Sequence, residues 1–217
     1  MTTRAEFVSR VTRVLGRGGR SVAPADGPPA PDESLLRLVG RDEDLAGRFA
    51  SRASSAGMEV HRCSVADLSS TCSRVLKTVG ARRLVLDGLS PELLKGVGPA
   101  LAGCEALHPM ILRSLDPQFD AHAGIAGVVA AIAETGTLVV ASDAARSRGA
   151  FIVPPVHIAV VSESDLIPDM LDLWARIGRP PTALTLISGP SKTADIEGIL
   201  VTGVHGPGAV HVILVAQ

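Results

Sequence analysis

Apolar residues recur at helical spacing near the start of the chain. A capping-box pattern begins at Thr3, and apolar side chains follow at intervals of three and four residues until Gly16. This pattern predicts an amphipathic helix over residues 1–16. Residues 17–41 are rich in Gly, Pro, Ala and Arg and lack apolar periodicity, so they predict a flexible linker. We therefore expect the main domain over residues 42–217.

Helical and strand patterns alternate from Asp42 onward. A helix with Phe49 on its apolar face precedes the short strand MEVHRC, and Ser64 is the predicted cap of a second helix that runs to Val79. The strand RRLVLDG follows, and Ser90 and the next two residues open another helix. Strands separated by helices of this length need right-handed crossovers. The sequence thus predicts an α/β fold with a mostly parallel sheet flanked by helices.

The second half of the chain is dominated by apolar strands with polar corners between them. An apolar stretch ending at Ala133, a polar corner and the strand TLVVAS predict a strand, a tight turn and a strand. A strand over residues 156–161, a helix over 164–177, the strand ALTLIS, a long loop rich in Gly and Pro, and the strand HVILVAQ complete the pattern. Sheets of this kind bind ligands at strand ends near a topological switch point.

The amino-acid composition argues against several functional classes. Apolar residues make up 46% and charged residues 20%, which argues against disorder. Aromatic residues make up 2%, too few for the stacking platforms of single-stranded nucleic-acid binders. The net charge of −1 provides no general attraction to nucleic acid or anionic membranes. The longest apolar run, residues 123–133, is half a membrane span, and the start lacks a signal peptide. We therefore expect a cytoplasmic protein with no membrane span and no nucleic-acid partner.

The cysteines and glycines argue against several bound cofactors. Cys63, Cys72 and Cys104 are odd in number and show no C-x-x-C spacing, so they are better interpreted as small apolar fillers than as disulfide, zinc or cluster ligands. Both G-x-G segments lack the third glycine of a dinucleotide fingerprint, because Ser21 and Leu101 stand in its place. No cofactor is predicted for this chain.

Residues 187–208 carry the highest density of polar side chains. The run GPSKT resembles a phosphate-binding P-loop, but Ile187 and Ser191 replace its two glycines, which argues against nucleotide hydrolysis. The hydroxyls and Lys192 could still hold a phosphate or carboxylate if the loop opens a helix. The alternative is a rigid crossover whose Ser and Asp side chains cap local backbone.

The chain also contains residue types that bind metal ions. His157, Asp195, Glu197 and His205 are suitable residue types, but they form no pair at the helical i, i+4 spacing. The remaining histidines, at positions 61, 108, 122 and 211, are scattered along the chain. No metal site is predicted.

Two further clusters could carry chemistry. Glu134 follows an apolar strand beside hydroxyls, where it could act as base, nucleophile or hydrogen-bond acceptor, or could be a solvated turn residue. Arg148 is suited to bind a carboxylate or phosphate. His157 lies within an apolar strand and is either a core histidine or a ligand-binding group.

Three segments in order resemble the lactate utilization (LUD) domain family. They are AIAETGTLVV (131–140), the segment from Arg148 that ends in PPVHIAVV (154–161), and ISGPSKTADIEGILVTGVHGPGAVHVILV (187–215). The resemblance is specific from Asp120 to the C-terminus. It implies a fold similar to the NagB/RpiA/CoA-transferase superfamily and a role in oxidising L-lactate to pyruvate. It also implies two iron–sulfur partners of the LutA and LutB kind, since three cysteines cannot ligate a four-cysteine cluster.

Two hypotheses follow. In the first, the chain is an accessory subunit that binds a small anionic metabolite while its iron–sulfur partners carry out the redox chemistry. In the alternative, it is a stand-alone CoA-transferase-like or sugar-phosphate-isomerase-like enzyme with Glu134 as its catalytic residue, a reading that rests on fold analogy. The candidate ligand-binding residues are Thr135, Gly136, Thr137, Arg148, His157, Ser188, Gly189, Ser191, Lys192, Thr193, Asp195, His205 and Gly206.

Overall fold

The computed structural model describes residues 3–15, 32, 36–40, 42–108, 116–143, 146–179, 181–196 and 198–216. Its contacts divide the chain into two units, Met1–Arg37 and Leu38–Gln217. The predicted linker over residues 17–41 lies largely outside the described residues, so its flexibility stays a prediction.

The first unit contains the predicted N-terminal helix, α1 (Arg4–Val14). Its capping box is formed: the Thr3 N–H donates to Glu6 Oε2 over 2.7 Å, and the Glu6 N–H donates to Thr3 Oγ1 over 3.3 Å. The apolar side chains of α1 are exposed, Phe7 and Val8 among them.

The second unit is built from strands and short helices. The strands are β1 (Glu59–Ser64), β2 (Arg83–Asp87), β3 (Glu105–Leu107), β4 (Ala123–Gly127), β5 (Ala130–Ile132), β6 (Thr137–Ser142), β7 (Val156–Ser162), β8 (Leu166–Ile167), β9 (Ala183–Ile187), β10 (Lys192–Ile196), β11 (Ile199–Thr202) and β12 (Ala209–Ala216). The helices are α2 (Leu45–Ser55), α3 (Leu68–Thr78), α4 (Pro91–Val97), α5 (Asp116–Phe119), α6 (Gly149–Ile152) and α7 (Leu171–Ile177), with short 3₁₀ turns at Gly98–Leu101 and Glu163–Asp165.

The main sheet contains six parallel strands in the order β1-β12-β7-β4-β2-β3. Residues on one face, such as Ile213 and Val215, pack with α3, and the alternate residues Val212 and Leu214 pack with α2 and the second sheet. Because both faces are covered, the inner strands are mostly apolar. The predicted α/β fold with a mostly parallel sheet is confirmed.

A second sheet of four strands, in the order β8-β5-β6-β9, lies beside the main one. The predicted strand, tight turn and strand are confirmed as the antiparallel pair β5 and β6. The apolar run over 123–133 is, however, divided between the two sheets, since β4 belongs to the first and β5 to the second. A continuously apolar run carries no signal of where the chain changes sheets.

Three local predictions are wrong. The helix expected over 164–177 begins only at Leu171, because Pro168 cannot sit in a helix interior and the preceding residues form a 3₁₀ turn and β8. Ser64 ends β1 rather than capping α3, whose N-cap is Asp67. The loop between β9 and β12 contains the antiparallel hairpin of β10 and β11 and opens no helix among its described residues.

The cysteines occupy apolar surroundings, as predicted. All three are free thiols, and they pack with the cluster under α3. Burial raises the pKa of Cys72 to about 12, so this thiol is unreactive at neutral pH. Among the described residues, no helix combines the length and apolar character that crossing a membrane requires.

Candidate functional site

A pocket of about 300 Å³ lies at the amino-terminal edge of the main sheet. We call it the His157 pocket. Its walls come from α6, β7, β9, the start of β12 and the two segments that flank the β10–β11 hairpin. The lining residues are Phe151, Ile152, His157, Thr185, Leu186, Ile187, Ser188, Gly189, Ser191, His205, Gly206, Pro207 and Val210. Six of the predicted candidates therefore share one pocket: His157, Ser188, Gly189, Ser191, His205 and Gly206.

His157 is the second residue of β7 and is positioned by the strands on both sides. It lies in register with Gly124 of β4 and Val210 of β12. A Cβ atom at Gly124 would lie 1.6 Å from the Ala150 carbonyl oxygen, so only glycine lets the backbone of α6 pack this closely on β4. The Phe151 ring meets the imidazole edge-on at a centroid distance of 6.3 Å. The imidazole is therefore held in place by backbone packing and by one aromatic contact.

The imidazole of His157 is fully buried, and neither ring nitrogen has a hydrogen bond of good geometry among the described residues, although backbone groups of Gly124 and Ala150 lie close to the ring. Burial lowers its pKa to about 4, against smaller opposing effects of the Gly124 and Ala150 backbone groups. The ring is therefore neutral at pH 7, with one nitrogen able to donate and the other able to accept. A buried polar group without a partner is costly, so this pocket wall favours a ligand or water that can hydrogen-bond.

The hairpin of β10 and β11 is held at its base, beside the pocket, by backbone hydrogen bonds. The Ser191 N–H donates to the Pro207 carbonyl, and the Gly203 N–H donates to the Ser191 carbonyl, both over 2.9 Å. The Gly208 N–H donates to the Pro155 carbonyl at 2.9 Å, just before β7. The hydroxyls at 188 and 191 are therefore presented from a defined backbone.

A chain of hydroxyls connects the turn between β5 and β6 to the pocket. Thr135 Oγ1 lies 2.7 Å from Thr137 Oγ1, which in turn lies 2.7 Å from Ser188 Oγ. The contact between Thr137 and Ser188 extends the register of β6 with β9, in which Leu138 pairs with Ile187. Thr137 is buried, and Ser188 is exposed at the pocket wall. A residue of segment 131–140 therefore supports a pocket residue of segment 187–215 through a hydrogen bond.

Two residues of the predicted Glu134 cluster lie outside the pocket. The Glu134 N–H donates to the Pro168 carbonyl at 3.0 Å, and this half-buried residue does not line the His157 pocket. Gly136 packs against α2, where an added Cβ would lie 2.2 Å from the Ala53 nitrogen. The structure thus gives this turn a packing role.

The predicted cations also lie away from the pocket. Arg148 is exposed at the N-cap of α6. Lys192 is exposed on β10, and its Nζ lies near Gly57, just beyond the end of α2, where a cation is favourable. Thr193 pairs with Val201 in the hairpin, and the side chain of Asp195 lies outside the described part of the chain.

A larger cavity of about 740 Å³ lies at the carboxyl ends of the parallel strands, where α/β sheets usually bind ligands. Two of its charged side chains form ion pairs: Arg146 with Asp143, and Asp165 with Arg176, each at 2.6 Å. These groups have partners, whereas His157 lacks one among the described residues. The His157 pocket is therefore the candidate functional site.

Sequence reasoning missed two sets of residues. The short helix α6, which contributes Phe151 and Ile152 to the pocket, is too short to leave a periodic pattern. His61 and His211 were treated as scattered, yet His61 Nε2 lies 3.3 Å from His211 Nδ1. These two residues are 150 positions apart, and only the pairing of β1 with β12, the last strand, brings them together.

The fold and the pocket define a class: an α/β protein with a parallel six-stranded sheet and a small pocket at its amino-terminal edge. Comparison with known families identifies the chain more closely, because the LUD domain model matches residues 46–215. The chain belongs to the LUD domain family.

Relatives of similar length support this assignment. The chain is 28% identical to lactate utilization protein C of Exiguobacterium sp., covering 99% of this chain and 96% of the relative. It is 30% identical to lactate utilization protein C of Halalkalibacterium halodurans, covering 94% of both, and 29% identical to YkgG of Escherichia coli K12, covering 95% of both. The crystal structure of a DUF162 family protein from Deinococcus radiodurans has a similar fold, with a TM-score of 0.59 and 24% identity over 79% of this chain and 96% of the other.

Proposed function

We propose that this protein acts in lactate utilization as a subunit that binds a small hydroxy acid in the His157 pocket. The single observation that carries the binding role is the fully buried, neutral imidazole of His157, whose nitrogens make no hydrogen bond to a described residue. The names of the similar proteins from Exiguobacterium and Halalkalibacterium support the lactate context.

The polar groups of the pocket match the two ends of a 2-hydroxy acid. The accepting nitrogen of His157 can take the hydrogen bond of the ligand hydroxyl. Ser188 and Ser191 can donate to the carboxylate, and His205, which is exposed at the pocket wall, can add a further hydrogen bond. At about 300 Å³ the pocket is at the small end of ligand sites, which suits a metabolite of a few carbons.

Oxidation of a hydroxyl to a carbonyl removes two electrons and two protons, so an electron acceptor is required. Cys72 is buried with its pKa raised, and three cysteines are too few for a four-cysteine cluster. We therefore assign the electron acceptors to iron–sulfur partner proteins, and this chain to metabolite binding.

The alternative, a stand-alone transferase or isomerase that uses Glu134, has weaker structural support. Glu134 lines neither the His157 pocket nor the cavity at the carboxyl ends of the strands. The substitution Glu134→Gln separates the two hypotheses, since it should remove turnover from such an enzyme but leave hydroxy-acid affinity unchanged in a binding subunit.

Calorimetric titration of the full-length protein with L-lactate, D-lactate and pyruvate tests the proposal. We expect one hydroxy acid to bind per chain, and Ser188→Ala to weaken that binding about tenfold through loss of one hydrogen bond to a charged group. Ser70→Ala is the matched control, because Ser70 is exposed on α3 and bonds only its own helix end, through the Asp67 carbonyl. The proposal fails if none of the three acids binds, or if Ser188→Ala and Ser70→Ala bind alike.

A further inference from the structure

Three potential metal ligands meet on the first two strands of the main sheet. Glu59 and His61 are two residues apart on β1, so their side chains point to the same face of the sheet. His211 of β12 lies directly in register with Glu59. Its neighbours Ile213 and Val215 pack with α3, whereas Val210 and His157 belong to the opposite face. The cluster is therefore separate from the His157 pocket.

Two of the three distances within this cluster match the edges of a coordination tetrahedron. His211 Nδ1 lies 3.3 Å from His61 Nε2 and 3.4 Å from Glu59 Oε2, and the three ligand atoms all lie within 4.8 Å of one another. Two ligand atoms about 2.0–2.1 Å from a tetrahedral zinc ion lie about 3.3–3.4 Å apart. A direct charge-assisted bond from imidazole to carboxylate would be about 2.7–2.9 Å long.

Hydrogen bonding can satisfy only one of the two contacts of His211 Nδ1 at a time. A neutral ring nitrogen either donates a proton, here to Glu59, or accepts one, here from His61 Nε2. A cation placed between the three atoms would satisfy all of them at once.

Neighbouring groups act on the pKa values of both rings. Burial lowers the pKa of His211, and burial together with the nearby His211 lowers the pKa of His61, while Glu59 raises both. Arg74 of α3 also lowers the pKa of His61, and its positive charge works against a bound cation.

We propose that Glu59, His61 and His211 bind one divalent transition-metal ion of the zinc class. Two imidazoles and a carboxylate are borderline ligands that suit zinc, cobalt or nickel better than calcium or magnesium. His211 is 3% exposed, whereas the Glu59 side chain is 67% exposed, so the fourth coordination position faces solvent on the Glu59 side. Water or an external ligand can occupy it. This site does not depend on the proposed role in lactate utilization.

Cobalt(II) titration of the untagged, chelator-treated full-length protein tests the site. Tetrahedral Co²⁺ gives visible absorption bands, and we expect one equivalent to bind and to be displaced by Zn²⁺. His61→Ala and Glu59→Gln should each weaken binding by at least about tenfold, the lower limit for changes that only support a ligand. His108→Ala is the matched control, since His108 is exposed and outside the cluster.

Zn²⁺ should also raise the midpoint of thermal unfolding of the wild-type protein and of His108→Ala, but not that of His61→Ala. Substitution of the buried His211 could prevent folding, so the test rests on the more accessible Glu59 and His61. The proposal is overturned if no Co²⁺ binds. It is equally overturned if His61→Ala binds Co²⁺ as tightly as the wild type, which would leave the two rings as a hydrogen-bonded pair only.

Discussion

His157 combines two properties that oppose each other at the level of a single residue. Its imidazole is fully buried, which costs stability because neither nitrogen has a hydrogen bond of good geometry among the described residues. The same burial keeps the ring neutral, with one nitrogen able to donate a hydrogen bond and the other able to accept one. Residues of this kind are expected at binding sites, where stability is lower than an apolar side chain would give.

The substitution His157→Met should reduce the dependence of folding stability on pH. The folded-state pKa of about 4 lies below the ordinary value of 6.5, so between these values the unfolded chain binds a proton that the folded chain does not. The stability of the wild type is therefore present above pH 6.5 and falls as the pH drops toward 4. A methionine of similar volume removes this titration.

Urea unfolding at pH 7 and pH 4 measures the effect. We expect the wild type to lose about 3 kcal/mol more than His157→Met over this range. His61 and His211 also have lowered pKa values, but they are present in both proteins and cancel in the difference. Equal losses in the two proteins would show that the His157 ring is hydrated or already protonated in the native state.

At the scale of elements, the end of α2 and the turn between β5 and β6 are in direct backbone contact. Gly136 has a φ of +68°, and an added Cβ would lie 2.2 Å from the Ala53 nitrogen. Gly189, beside the pocket, approaches the same helix end, with an added Cβ 2.4 Å from the Ala56 carbonyl oxygen. Two of the three segments that carry the family resemblance therefore use glycine to pack on α2.

A pair of alanine substitutions separates this packing from backbone strain. Gly80 has a φ of +67° and nothing within 4 Å of an added Cβ, so Gly80→Ala should cost only the left-handed backbone penalty, about 1–2 kcal/mol. Gly136→Ala meets the same penalty and also displaces α2, for a total of about 2–5 kcal/mol.

Chemical denaturation of both variants gives the two free energies of unfolding. The larger loss is expected for Gly136→Ala, together with weaker hydroxy-acid binding, because the hydroxyl chain begins in the same turn. If the two variants were equally stable, the close contact between this turn and α2 would not exist in solution.

Elements with a local signal could be predicted from the sequence. Three such features were predicted, because each depends on neighbouring residues. They are the capping box at Thr3, the N-cap at Ser90, and the strand, turn and strand around Gly136. The hairpin between β9 and β12 was not recognised, since Gly and Pro in its flanks concealed two short strands.

The residues of the candidate site could likewise be predicted only in part from the sequence. His157, Ser188 and Ser191 were among the predicted site residues and share the pocket, whereas Glu134 and Lys192 were predicted as well and do not line it. The pocket instead joins chain segments through the register of β6 with β9 and of β7 with β12. Those registers depend on packing of the whole domain, which one sequence does not encode locally.

On the scale of the whole molecule, the position of β12 in the main sheet relates the two candidate sites to each other. The last strand lies between β1 and β7, so its two faces carry different groups. Val210 lines the His157 pocket, and His211, the next residue, faces the Glu59 and His61 cluster on the other side. In our proposal the electron acceptors for oxidising a hydroxy acid by two electrons belong to other chains.

Affinity purification of the tagged full-length protein from its native cells grown on lactate tests this division of labour. We expect cysteine-rich iron–sulfur proteins to co-purify, with iron in the eluate in excess of any bound to this chain, because the proposal requires acceptors close to the metabolite pocket. Cells grown without lactate, carrying the same tagged chain, are the control for non-specific capture. If gentle, low-salt conditions yield only this chain and no iron, then a partnership with iron–sulfur proteins is excluded, and the hydroxy acid bound by the His157 pocket would instead be the substrate or signal of a protein that works alone.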